Sequence, residues 1–100
     1  MPEFIASYDL KETRPDPHPT FLENAKKNGW NLWIKGRSGT SYRLPNTTLV
    51  GTFGTQAEAV EALKTTRSDT ANELGIAVTM EKWIVAQYGE SNFNSDQKSS

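Results

Sequence analysis

Phe4-Ile5-Ala6-Ser7-Tyr8-Asp9-Leu10 is the stretch whose reading decides how the rest of this chain folds. Aromatic and β-branched residues favour extended backbone, and the pattern predicts a strand from about Glu3 to Leu10. Side chains alternate along a strand, so Phe4, Ala6 and Tyr8 share one face while Ile5, Ser7 and Asp9 share the other. Both faces begin apolar, which predicts a central strand covered, at least in part, on both sides. Its end delivers Asp9, a carboxylate that a strand would hold rigidly.

Working outward, Lys11 to Pro19 reads as a loop, because Pro15, Pro17 and Pro19 break any regular ladder and stiffen the path. One of these prolines suits the first turn of a short helix. That helix runs to about Asn28, burying Phe21, Leu22 and Ala25, with Gly29 as its left-handed stop. Trp30 to Ile34 alternates as a second strand. Gly36-Arg37-Ser38-Gly39 is turn chemistry, Ser41 to Leu44 continues the hairpin until Pro45, and Asn46 to Phe53 reads as a third strand.

Thr55-Gln56-Ala57-Glu58 carries the signature of a capping box, opening a helix that stops at Gly75. Its apolar stripe is thin from Lys64 to Asp69, so Thr66 and Thr70 must lie near the buried side. Ile76 to about Val85 reads as the last strand, with a bulge near Lys82-Trp83-Ile84, where the alternation slips. Gly89 to Ser100, rich in Ser, Asn and Gln, is expected to be a disordered tail after a single domain of residues 1–88. Strand, helix, strand, strand, helix, strand predicts an α+β class and a ferredoxin-like βαββαβ sandwich: a four-stranded antiparallel sheet with two helices on one face. The other face would be open, a surface that a homodimer would hide.

A chain of 100 residues suits one small domain with a modest core. It has no cysteine, hence no disulfide, thiolate metal site or cysteine nucleophile. No apolar run approaches a membrane span, and the N-terminus lacks the pattern of a secretory signal. The expected location is the cytoplasm, with no membrane partner.

The net charge of -1 hides an asymmetry. Between Glu23 and Glu58 there is no acid, but there are Lys26, Lys27, Lys35, Arg37 and Arg43, interleaved with Trp30, Trp33 and Tyr42. Cations with aromatics between them suit a phosphate backbone and its exposed bases. Lys35, Arg37 and Arg43 are the candidate phosphate contacts, and Trp33 and Tyr42 the stacking residues. The plainer alternative is a solvated charge run with the tryptophans in the core. Alternation places Trp30 and Trp33 on opposite faces, predicting Trp30 in the core and Trp33 on the open face as a dimer anchor or stacking platform.

Asp9 is the candidate metal ligand and catalytic residue, since a hard cation such as Mg²⁺ needs only one or two protein carboxylates. The alternative is a carboxylate that caps the following turn. His18, the only histidine, lies in Pro-His-Pro without a neighbouring partner for acid–base work or a zinc site. There is no nucleophile elbow and no phosphate-cradling glycine loop.

From Tyr8-Asp9 through the short helix, the basic hairpin and the capped second helix, residues 3–85 resemble the small CRISPR-adaptation nucleases and the related GhoS-type antitoxin endoribonucleases. Ser41 to Val60 looks more like the antitoxin arrangement, whereas Trp33-Ile34-Lys35-Gly36 stands where the CRISPR relatives carry Gln-x-Ser-Val-Phe. The resemblance implies a ferredoxin-like fold, a dimer, and nucleic-acid cleavage with Asp9 as the one functional residue carried over. The expected function is a small dimeric protein that binds RNA or DNA, with metal-dependent endoribonuclease or antitoxin activity. A non-enzymatic module whose open face pairs with a partner protein is the alternative, and a small-ligand regulatory domain a third reading.

Overall fold

A computed structural model describes residues 1–99. The elements run β1 (Glu3–Leu10), α1 (His18–Lys27), β2 (Trp30–Asn31), β3 (Trp33–Lys35), β4 (Ser41–Arg43), β5 (Thr48–Thr52), α2 (Gln56–Leu74), β6 (Met80–Tyr88) and β7 (Lys98–Ser99). The class is mixed α+β. Among the described residues seven strands form two antiparallel sheets, of order β2-β5-β1-β6 and β3-β4-β7, where a single four-stranded sheet was expected. None of the described helices is long and apolar enough to cross a membrane.

β1 is interior to the larger sheet, pairing with β5 from Glu3↔Thr52 to Ser7↔Thr48 and with β6 from Glu3↔Tyr88 to Leu10↔Met80. Its alternation is strict: Phe4, Ala6, Tyr8 and Leu10 are buried while Glu3, Ile5, Ser7 and Asp9 are exposed. The expected cover, in part on both sides, is uneven: one face meets the core, and the other is only partly covered, with Ile5 37% exposed. The β6 register shifts opposite Asp9 and Leu10, leaving Glu81 as the extra residue. This is the expected bulge, although the strand begins at Met80 and not at Ile76.

Both helices pack into one core with the inward face of β1. Phe21 and Ala25 from α1, and Ala59 and Leu63 from α2, join Phe4, Ala6, Tyr8, Trp30 and Leu49. Thr55 caps α2 by accepting from the Glu58 amide at 3.1 Å, and the Glu58 carboxylate accepts from the Gly54 amide at 3.2 Å. Gly75 ends the helix at φ 67°, and Gly29 follows α1 at φ 94°. At the start of α1, Asp16 Oδ1 accepts from the amide of His18, which is half-buried there.

The seam between the helices is polar. Thr66 and Thr70 are fully buried, as the thin stripe required; Asn24 is buried as well, and Leu22, expected inside, is half-buried against the core. Asn24 donates to Thr70 Oγ1 at 3.2 Å, and the Asn28 amide reaches the Asn24 carbonyl, Thr66 Oγ1 and Asp69 Oδ2.

The predicted strand Trp30–Ile34 is divided between the sheets. Trp30 and Leu32 both turn inward, and the Leu32 carbonyl accepts from the Leu44 amide at 2.9 Å, which ends pairing with β5 and starts the β3–β4 hairpin. The hairpin turns at Gly36–Gly39 as expected, with Gly39 at φ 88°. The segment after Tyr88 brings Phe93 against Tyr42, ring centroids 5.3 Å apart, and pairs β7 with β4.

Gly51 in β5 sits between Phe4 of β1 and Trp30 of β2. A Cβ there would lie 2.7 Å from Phe53 Cε2 and 2.8 Å from the Gly29 carbonyl oxygen. Only a hydrogen fits against that carbonyl. Gly51→Ala is expected to lower stability by about 1–3 kcal/mol, as overpacking in a close-packed interior does; a lowered urea midpoint by circular dichroism is the measurement.

Candidate nucleic-acid interface

The basic window folds mostly into the hairpin and the smaller sheet, and the structure divides its candidate residues. Trp33 pairs with Arg43 and Lys35 with Ser41, so these four side chains leave one face of the hairpin, and Ile34 and Tyr42 leave the other. Trp33 is 39% exposed, and Lys35 and Arg37 are exposed, Arg37 in the turn itself. Trp33 and Lys35 thus share one accessible face of the hairpin, and Arg37 stands in the turn beyond Lys35.

Arg43 and Tyr42 are engaged elsewhere. Arg43 Nη1 donates to the carbonyls of Leu32 at 3.3 Å and Leu44 at 3.0 Å, tying the two ends of the hairpin together. Tyr42 lies half-buried against Phe93, with Lys98 Nζ 5.6 Å from its ring centre. Trp30 is fully buried, as expected, and its Nε1 has no hydrogen-bond partner. Trp33 belongs to the smaller sheet and borders a hollow that Glu3, Val50 and Tyr88 line from the main sheet.

The chain itself covers part of the open face. Val50, which alternation turns away from the helices, is only 7% exposed. A cleft of about 320 Å³ lies between Ile5, Val50 and Tyr88 on the main sheet and Ile34, Tyr42 and Phe93 opposite. Farther along β1 and β6 the face is bare, and Ile84, which pairs with Ser7, is 63% exposed.

Asp9 is exposed and opposite Lys82. It is the one carboxylate lining a hollow of about 190 Å³ with Ser7, Tyr8, Lys82, Trp83 and Ile84. Among the described residues, no group of three His, Cys, Asp or Glu side chains is placed to hold a metal ion. A divalent cation at Asp9 would draw its other oxygens from water, a phosphate or a second copy of the chain.

Sequence reasoning missed a second pairing of cations with an aromatic. Trp83 is 41% exposed, and Lys64 Nζ of α2 lies 5.9 Å from its ring centre. The available signal was position: Lys64 and Arg67 lie three apart on a helix, hence on neighbouring faces, ahead of the tryptophan of the next strand. No family model, curated protein or solved structure matches this chain.

Beside Asp9, the Tyr8 ring packs on Phe21 at 4.6 Å, and its hydroxyl is buried without a hydrogen-bond partner. Burial pushes the phenol from 10.0 up to about 12, with the Arg43 charge pulling the other way. A pKa raised in the folded state gives stability that is full below the unfolded value and lost as pH climbs through the folded one. The loss is expected between about pH 10 and 12 and amounts to about 2–3 kcal/mol. Tyr8→Phe removes an unpartnered hydroxyl. It should leave stability at neutral pH unchanged or up to about 1 kcal/mol higher and flatten the alkaline loss, as read by urea unfolding across that range.

Proposed function

We propose that this protein binds single-stranded nucleic acid through the exposed end of the β3–β4 hairpin, where Lys35 and Arg37 hold phosphates and Trp33 stacks a base. The observation that carries the reading is the exposure of Trp33 and Lys35 on one face of the hairpin, with Arg37 exposed in its turn, in a stretch of sequence without an acid from Asn24 to Ala57. Phosphate neutralisation supplies most of the affinity in such binding, and stacking supplies tolerance of sequence. Arg43 shapes the surface through the Leu32 and Leu44 carbonyls, and Tyr42 does so through Phe93.

The scaffold for this surface is ferredoxin-like in our reading. The order β2-β5-β1-β6, with α1 and α2 sharing one core, supports it. The hairpin is then an insertion between the second and third strands of the motif, extended by β7. Two copies associate through the bare part of the open face, a reading supported by Ile84, apolar and 63% exposed there.

Binding of a short labelled RNA strand is expected to weaken steeply with salt, and Lys35→Gln with Arg37→Gln to flatten that slope by roughly 0.7 per phosphate contact removed. Asp9→Asn should leave the affinity unchanged. Fluorescence anisotropy across a salt series checks both, and an affinity indifferent to salt would reject the reading. For the association, Ile84→Asp is expected to halve the mass measured by light scattering without changing the circular dichroism spectrum.

A further inference from the structure

The edge of the main sheet opposite β2 carries a feature that the hairpin does not use. β6 is the terminal strand of the order β2-β5-β1-β6. Trp83 pairs with Tyr8, which turns toward the helices, so its indole leaves the sheet on the α2 side. There it borders a groove of about 470 Å³ lined by Lys64, Arg67, Val78, Thr79, Met80 and Trp83. Among the described residues no acid lines this groove.

The two cations are placed differently. Arg67 is fixed: Nη1 donates to the Val78 carbonyl at 3.3 Å and Nη2 to Ser68 Oγ at 2.9 Å. A guanidinium has five N–H donors, so those two bonds hold it without exhausting it. Lys64 is exposed, with its ammonium 5.9 Å from the Trp83 ring centre. An exposed tryptophan attended by one anchored and one mobile cation, with apolar Val78 and Met80 as floor, offers a flat π surface and two positive charges together. The ligand that uses all of it has a planar ring and an anion held a short spacer away, as the sugar holds a phosphate from its base.

We propose that the α2–β6 groove is a second contact site for the same single strand, taking one nucleotide with its base stacked on Trp83 and its phosphate on Arg67 and Lys64. This rests on the nucleic-acid reading for the class of ligand, and on wholly separate residues for its site. Stacking on an aromatic contributes about 1–3 kcal/mol per base, and a cation aimed at a phosphate adds to the salt dependence.

The test uses the full chain carrying Trp33→Phe, so that Trp83 is the exposed tryptophan and Trp30 remains buried. A short oligouridylate is expected to quench the tryptophan emission, and an inorganic polyphosphate of similar charge is expected not to. Trp83→Leu should weaken oligouridylate binding at least about fivefold, and Lys64→Gln should lower the salt slope by roughly 0.7. Lys64 is exposed, so that variant guards against misfolding, with circular dichroism as the check on both. Unchanged emission at saturating oligouridylate, or affinity within about twofold of the parent in Trp83→Leu, overturns the proposal. The Lys35→Gln, Arg37→Gln protein separates the two sites. Weakening there alone upholds the hairpin and rejects the groove, and weakening in the groove variants alone does the reverse. An oligouridylate that the parent does not bind rejects both.

Discussion

β1 is the strand to which the rest of the structure is registered. It is hydrogen-bonded along both edges, to β5 and β6, so neither neighbour can slip without turning its own side chains over. One slip would carry Leu49 and Val85 out of the core and bring Thr48 and Ile84 into it. The strict alternation of Phe4, Ala6, Tyr8 and Leu10 with Glu3, Ile5, Ser7 and Asp9 is thus a constraint on three strands at once. It also places Asp9 and Tyr8, adjacent in sequence, in opposite environments: one exposed beside Lys82, the other buried to the hydroxyl.

The helices answer to a different requirement. Between them the contact is made by Asn24, Thr66 and Thr70, fully inside, with Asn28 at the border. Polar groups in that position are tolerated only when partnered, and here the pairing is mutual. Thr70 accepts from Asn24 and donates to the Thr66 carbonyl at 2.7 Å, while Thr66 donates to the Ala62 carbonyl at 2.8 Å. A purely apolar seam would let the helices slide. These directional bonds fix their relative position and hence where α2 presents Lys64 and Arg67.

What could be read from the residues alone followed from local physics. The capping box at Thr55–Glu58, the stops at Gly29 and Gly75, the turn at Gly36–Gly39 and the opposite fates of Trp30 and Trp33 each depend on a few neighbouring positions. What could not be read depends on partners distant in the chain. The division of Trp30–Ile34 is decided by Leu44, whose amide claims the Leu32 carbonyl. The inward turn of Asn24 is decided by Thr70. Arg43 and Tyr42 carry the same local signal as Lys35 and Trp33, and only the carbonyls and Phe93 beside them separate the pairs. No property of residues 41–43 announces that Lys98 and Ser99 will pair with them.

The same distinction bears on the candidate sites. A run of cations in sequence measures charge per unit of chain, whereas a phosphate responds to charge per unit of surface. Within the run, Arg43 is bonded to carbonyls, Lys26 and Lys27 end α1, and Lys35 and Arg37 remain at the hairpin's end. The folded chain therefore dilutes the basic window. In the opposite sense it concentrates charge where the sequence is on balance acidic: α2 carries Glu58, Glu61, Asp69 and Glu73, yet turns Lys64 and Arg67 to the groove beside Trp83. Helical periodicity sorts α2 by face, and the β6 pleat sends Trp83 toward the cationic one. Two surfaces of similar chemistry arise from segments of opposite net charge, because the geometry of each element selects which of its charges reach the surface together.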